Sequence, residues 1–231
     1  MNYFSVRDIK ADARENLLMN IHTCALAGML FFLFFGFLLQ VAEAALPSEE
    51  GVWYFAGMAA YLVVALFMGV FQGGLFLMHL KIVYGEKPRL SDLFVCVATG
   101  PDKMIIIRAV LFGLPYLILF PATLYLMATG TVNLVYAVLL FLALFAGIAT
   151  LLVYGLAYFV ALDFPELSAG EALSESKKLT RGYRKELFTL HVSFLPLYLL
   201  GVISFGLAWF WITAYHQAAL ASFYKRRMMG R

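Results

Sequence analysis

Long apolar runs alternate with short polar segments along the 231-residue chain. A hydrocarbon core about 30 Å thick is crossed by roughly 20 helical residues. Four runs reach this length: Ile21–Leu46, Val52–Met78, Met104–Ala128 and Val132–Leu162. A fifth, Leu187–Tyr224, would extend for about 57 Å as one helix, nearly twice the core thickness. Because Gly201 and Gly206 lie near its middle, we divide it at a turn around Ser204. The pattern therefore predicts six spans.

The basic residues divide the polar segments into two sets. All of the 17 Lys and Arg residues except Arg108 lie before span one, between spans two and three, between spans four and five, or after span six. The three remaining links carry none, although they are short. Since positive charge is retained in the cytoplasm, both termini are predicted to be cytoplasmic, which requires an even number of spans.

The composition agrees with a membrane protein. Hydrophobic residues make up 63% of the chain and charged residues 13%, against roughly 45–50% and about 25% in soluble domains. These values exclude a water-soluble enzyme, a disordered chain and a disulfide-stabilised secreted protein. The two cysteines, Cys24 and Cys96, are predicted to be free thiols.

The cytoplasmic segments before spans one, three and five are predicted to form short amphipathic elbow helices. Ser168 and Glu171 have the spacing of a capping box. With Ser5 and Ser91 as the other caps, three units of one elbow and one hairpin follow one another over residues 1–84, 85–165 and 166–231. Ordinary connectors of a multi-pass protein are the alternative. The predicted fold is a single all-α domain, residues 1–231, of six transmembrane helices in three hairpins.

Several sequence stretches resemble a known family. They include Asp163–Ser168, Glu171–Ser176, Gly182–Arg184 and Leu187–Phe194, with Ile9–Arg14 near the start and Phe223-Tyr224 near the end. These stretches resemble bacterial integral membrane proteins of domain-of-unknown-function family 975. Ala214-Tyr215 departs from the Pro-Tyr usual in that family. The resemblance implies a six-span protein of the bacterial cytoplasmic membrane and brings no assigned activity or catalytic residues.

Polar residues inside predicted spans are candidate functional residues. They are Gln72, Arg108, His191 and His216. The alternatives are that Arg108 extends its head group to the interface and that the histidines are interfacial. Gly69 and Gly73 have the small-x-x-x-small spacing of a helix contact, which Gln72 would reinforce. No two histidines have ligand spacing on one helix, and we predict neither a metal nor a cofactor.

The third elbow has a basic face that would attract anionic lipid at the inner membrane surface. Its candidate contacts are Lys177, Lys178, Arg181, Arg184 and Lys185. A simple topology anchor is the alternative, and on that hypothesis the charges fix orientation without binding a particular lipid.

Three functions remain open from the sequence. The first is a non-enzymatic membrane protein that binds a lipid, a membrane peptide or a transporter partner, and no nucleic acid. The second is a small channel or facilitator through spans three and five, with Arg108 acting on anions. Pro115, Pro121 and Pro196 predict kinks in these two spans. The third is a lipid-modifying membrane enzyme that uses His191 and His216. No recognisable catalytic motif supports the third hypothesis.

Overall fold

A computed structural model describes residues 5–45 and 52–230, and this part of the chain is helical without strands. Eleven α-helices and one 3-10 helix, Leu90–Phe94, are present in these ranges. The α-helices are α1 Val6–Leu17, α2 Ile21–Ala45, α3 Val52–Val83, α4 Val95–Thr99, α5 Pro101–Thr129, α6 Leu134–Tyr154, α7 Ala157–Asp163, α8 Ala169–Thr180, α9 Arg184–Val192, α10 Leu195–Ile203 and α11 Trp209–Met229.

Four or five segments of the described chain are long and apolar enough to cross a membrane. Four are single segments: Ile21–Ala42, Ala59–Val83, Leu134–Asp163 and Arg184–Ile203, of which the last two each contain a short helix break. The fifth is a pair, Pro101–Gly113 and Pro115–Leu126, bent by 51°. The bend lies at a proline because proline has no N–H for the helical ladder. The final helix, α11, is not among them, since Tyr215–Gln217 and the basic residues of its last turns make it too polar.

The long final apolar tract is broken where the sequence predicts. Helix α10 ends at Ile203 and α11 begins at Trp209, which confirms the break around Ser204. Phe205 and Gly206 both have positive φ values, 53° and 86°, so the chain reverses within a few residues. A second break, at Ser193 and Phe194, separates α9 from α10.

The predicted single run Val132–Leu162 contains a break that the sequence pattern does not reveal. Helix α6 ends at Tyr154 and α7 begins at Ala157. The hydroxyl groups of Ser176 and Thr180 on α8 both donate to the carbonyl oxygen of Val153, each at 3.2 Å. This carbonyl would otherwise accept the N–H of Ala157, so the docking of α8 replaces one helical hydrogen bond.

The three predicted helix caps differ in outcome. The capping box of Ser168 and Glu171 is confirmed, with hydrogen bonds in both directions. Ser5 occupies the cap position of α1, but its side chain makes no capping hydrogen bond. The prediction for Ser91 is wrong: it lies inside the 3-10 helix, whose start is held by Asp92 accepting the Arg89 N–H at 2.8 Å. Asp92 supplies a carboxylate acceptor that also pairs with Lys81.

The elbows pack on the ends of the longer helices. Helix α1 contacts α11, the 3-10 helix contacts α3, and α8 contacts α6 and α7. Ile9, Ala13 and Leu17 form the buried side of α1. The proposed threefold repetition of sequence units stays a prediction.

Aromatic side chains from α3, α7 and α11 form the centre of the core. Phe76 stacks on Tyr158 with ring centroids 4.9 Å apart, and Phe159 stacks on Tyr224 at 5.5 Å. Burial of these large rings against one another provides much of the packing energy of this region.

The C-terminal ends of the same three helices meet at Asp163. Its carboxylate accepts the hydroxyl of Tyr224 at 2.8 Å and that of Tyr84 at 3.3 Å. Burial, and then the charge of Asp163, raise the pKa of Tyr84. Lys225 donates to the carbonyl oxygen of Val83 at 2.7 Å, so this polar cluster ties the three helix ends together.

Candidate functional site

A cavity of about 540 Å³ lies between α2, α3 and α11. Most of its wall is aromatic or aliphatic and includes Phe31, Trp209 and Phe210. Four polar side chains also line it: Gln72, His79, Thr213 and Gln217. This volume, with apolar walls and few polar groups, is typical of sites that bind small molecules.

His79, one of the lining residues, contains a buried ring nitrogen without a hydrogen bond. The side chain is 2% exposed, and its Nδ1 lies 2.7 Å from the carbonyl oxygen of Leu75. Since a carbonyl can only accept, Nδ1 carries the proton and donates. The Nε2 atom has no hydrogen-bond partner among the described residues, although the Ala214 carbonyl also neighbours the ring. Nε2 is therefore a buried polar atom left without a hydrogen bond in the described part of the chain.

Gln72 is held at the cavity by Arg108. The guanidinium group donates from Nη1 to the amide oxygen of Gln72 and from Nε to the carbonyl of Ala65, the latter at 2.8 Å. It also lies 4.1 Å from the centre of the Phe112 ring. No carboxylate pairs with Arg108 within residues 5–45 and 52–230. The structure thus places the cation of α5 against α3, where it orients the Gln72 amide.

Small residues of α3 allow this close approach. A Cβ at Gly69 would lie 2.7 Å from Cβ of Arg108, and one at Gly73 would lie 2.8 Å from Sδ of Met104. These distances are far shorter than an ordinary carbon contact of about 3.5–4.0 Å. Glycine is therefore needed at position 69, where a Cβ would also lie 2.9 Å from the backbone oxygen of Met104, whereas at position 73 the Met104 side chain could move aside.

The two histidines selected from the sequence form a separate cluster. Nε2 of His216 lies 2.9 Å from Nδ1 of His191, and Nδ1 of His216 lies 3.0 Å from the hydroxyl of Tyr198. Phe194 stacks on the His216 ring at 4.4 Å. Within the described ranges no third His, Cys, Asp or Glu joins them to form a metal-ligand group. Either ring nitrogen of His216 can carry the proton, so the chain of three groups can shift protons internally.

Ser193, two residues after His191, has its own set of hydrogen bonds. The hydroxyl of Ser193 donates instead to the carbonyl oxygen of Leu190 at 2.7 Å. The Nζ of Lys10 lies 3.3 Å from the same hydroxyl and donates to the Ser193 carbonyl at 3.0 Å. Ser193 therefore links α1 to the turn between α9 and α10.

The basic candidates of the third elbow partly converge. An open depression of about 370 Å³ is bounded by Ser174, Lys177, Lys178, Arg181 and Arg184. Lys178 is also paired with Glu175 at 2.6 Å. Lys185 is not part of this depression. The remaining side chains present a concentration of positive charge suited to an anionic group.

The sequence predicts Gln72 as a candidate residue but does not predict the cavity to which it belongs. Its polar residues Gln72, His79, Thr213 and Gln217 come from two helices separated by more than 130 positions. None of the four forms a motif with its neighbours along the chain. A weak signal existed in His79 and Gln217, which are polar residues within or beside apolar runs.

Comparison with known proteins assigns the chain to a family. The model of the family described as "Protein of unknown function (DUF975)" matches residues 1–228. The chain belongs to this family. No curated protein and no solved structure matches the chain. Family membership thus confirms the resemblance of the sequence and leaves the function to be argued from the geometry of the cavity.

Proposed function

We propose that this protein is a non-enzymatic component of the bacterial cytoplasmic membrane that binds a membrane amphiphile in the cavity between α2, α3 and α11. The observation that carries the proposal is a cavity of about 540 Å³ between these helices, with predominantly apolar walls and four polar side chains among its lining residues. A lipid has both the apolar body and the polar group that such a wall can accommodate.

The proposed topology has six membrane-embedded segments paired as three helical hairpins, with both termini in the cytoplasm. It is supported by the distribution of Lys and Arg along the chain. It is also consistent with the contacts of α2 with α3, of α5 with α6 and of α10 with α11. The basic depression on α8 would then face anionic lipid at the inner surface.

The absence of an acid at the cavity favours binding over chemistry. No Asp or Glu lines it in the described part of the chain. General acid–base catalysis needs a proton donor and an acceptor positioned at one reacting group. The polar residues of the wall are Gln72, His79, Thr213 and Gln217, and the His191–His216 pair is not part of it.

The test is to fill the cavity without disturbing the fold. Gly28 lines the cavity, and an added Cβ there would meet no atom within 4 Å. Gly28→Phe should displace a bound lipid from the protein purified in mild detergent, as read by native mass spectrometry. Gly36→Phe is the matched control, because Gly36 lies on the same helix, has equally open surroundings and does not line the cavity.

Wild type and Gly36→Phe should carry the same lipid at the same stoichiometry, and Gly28→Phe should lose most of it. Equal lipid content in all three proteins would contradict the proposal. A thermal unfolding measurement on each variant establishes that the comparison is made between folded proteins.

A further inference from the structure

The turn between α10 and α11, residues 204–208, has an apolar surface. Phe205 is 99% exposed and Leu207 is 65% exposed. The hydroxyl of Ser204 is directed inward and donates to the carbonyl oxygen of Gly201 at 2.8 Å. The turn between α5 and α6 is different, since it exposes the polar residues Thr131 and Asn133 together with Val132. A turn surrounded by water would not be expected to expose only large apolar side chains.

The backbone of this turn satisfies its own hydrogen-bond donors. Each N–H from residue 204 to residue 209 has an acceptor within the turn or the end of α10. The acceptors, in chain order, are the carbonyls of Leu200, Val202, Gly201 and Ser204, the hydroxyl of Ser204, and the carbonyl of Gly206. Water would satisfy such groups on a surface turn, whereas hydrocarbon provides no partner and makes each unpaired group costly. Internal pairing of these N–H donors is therefore suited to lipid.

Contacts with α1 mark where the hairpin of α10 and α11, the third hairpin, leaves the aqueous interface. The Nζ of Lys10 donates to the carbonyl of Ser193 at 3.0 Å, and the hydroxyl of Tyr215 donates to the carbonyl of Lys10 at 3.0 Å. Both arms of the hairpin thus meet the same residue of α1. That helix contains three acidic and three basic residues among its 12, so it belongs at an aqueous interface rather than in hydrocarbon.

The part of the hairpin beyond α1 is short. Helix α10 has nine residues, a length of about 14 Å, and the segment from Trp209 to Tyr215 spans about 9 Å. Both values are less than half of a hydrocarbon core about 30 Å thick. Helix α6, by contrast, has 21 residues and a length of about 31 Å. Measured from Lys10, both arms therefore end short of the opposite surface, and Arg184–Ile203 reaches the length of a span only when α9, on the other side of Ser193, is counted.

We propose that the α10–α11 turn lies inside the hydrocarbon core, so that the third hairpin is re-entrant, and that the ligand cavity is entered from the lipid phase. Phe205, Gly206 and Leu207 form part of the cavity wall, which places that wall in contact with acyl chains. The ligand class is then an amphiphile already dissolved in the membrane, which enters sideways. This inference rests on the proposed function, which supplies the membrane location and the amphiphilic ligand. A re-entrant hairpin still leaves both termini on one side of the membrane.

The test measures the depth of the turn in reconstituted phospholipid vesicles. A nitroxide label is attached to Phe205→Cys in a chain whose two native cysteines are replaced by alanine, and its collisions with oxygen and with a water-soluble nickel chelate are compared. The Phe205 side chain is almost wholly exposed, so its replacement removes little packing. Thr131→Cys, in the polar turn between α5 and α6, is the matched control.

We expect oxygen to relax the label at position 205 several-fold more effectively than the chelate, and the order to be reversed at position 131. Equal or greater exposure to the chelate at position 205 would overturn the inference. This readout requires no bound ligand. If the label shows a lipid-buried turn but Gly28→Phe keeps its full lipid content, the re-entrant hairpin is supported and the proposed function is rejected. The two failures are therefore distinguishable.

Discussion

Gly74→Ala is expected to destabilise the protein, because α3 packs there directly on the backbone of the 3-10 helix Leu90–Phe94. An added Cβ would lie 2.5 Å from both the Cα and the carbonyl oxygen of Leu93. Carbon atoms pack at about 3.5–4.0 Å, so the two backbones must separate by roughly 1 Å. Overpacking of this kind costs about 1–3 kcal/mol, against a gain of about 1 kcal/mol from replacing a helical glycine by alanine. The net expectation is a loss of up to about 2 kcal/mol.

The control is Gly36→Ala, where the added Cβ meets no atom within 4 Å and only the helical gain remains. Unfolding of both variants in one mild detergent, followed by circular dichroism and a denaturant titration, gives the difference directly. Gly74→Ala should unfold at lower denaturant concentration than wild type, and Gly36→Ala at equal or higher concentration. If Gly74→Ala were as stable as Gly36→Ala, the close contact of α3 with this elbow would be refuted.

Two further predictions concern the polar ends of the helices. Tyr224→Phe should lower the free energy of unfolding by about 1.5–3 kcal/mol, and Tyr84→Phe by less than about 1 kcal/mol. The difference is expected because the hydrogen bond from Tyr224 to the Asp163 carboxylate is the shorter of the two and is buried. Equal losses in denaturant titrations would contradict this ranking. Ser168→Ala should cost about 1 kcal/mol by removing the cap of α8. Hydrogen bonds from the Ser168 backbone and hydroxyl lower the pKa of Glu171 below 4.5, so their stabilisation is present above that pH and is lost as the pH falls through the lowered pKa. Ser168→Ala should accordingly unfold with a weaker dependence on acidic pH than wild type, and an unchanged dependence would count against this assignment.

Local properties of the sequence determined the helical membrane class, the break around Ser204 and the capping box at Ser168. Each depends on residues close together along the chain: an uninterrupted apolar run, glycines on either side of a turn, or a serine three positions before a glutamate. Such features are stabilised mainly by neighbouring residues and by the surrounding solvent. They can therefore be recognised without knowledge of the packing.

Tertiary structure alone decided the break between α6 and α7 and the position of the cavity. The break depends on hydroxyl groups of Ser176 and Thr180 reaching the carbonyl of Val153, more than 20 residues away. The cavity brings His79 of α3 next to residues of α2 and α11. Hydrogen-bond satisfaction and cavity shape depend on distances between helices, and the apolar pattern of each helix specifies which residues avoid water but not which helix they meet.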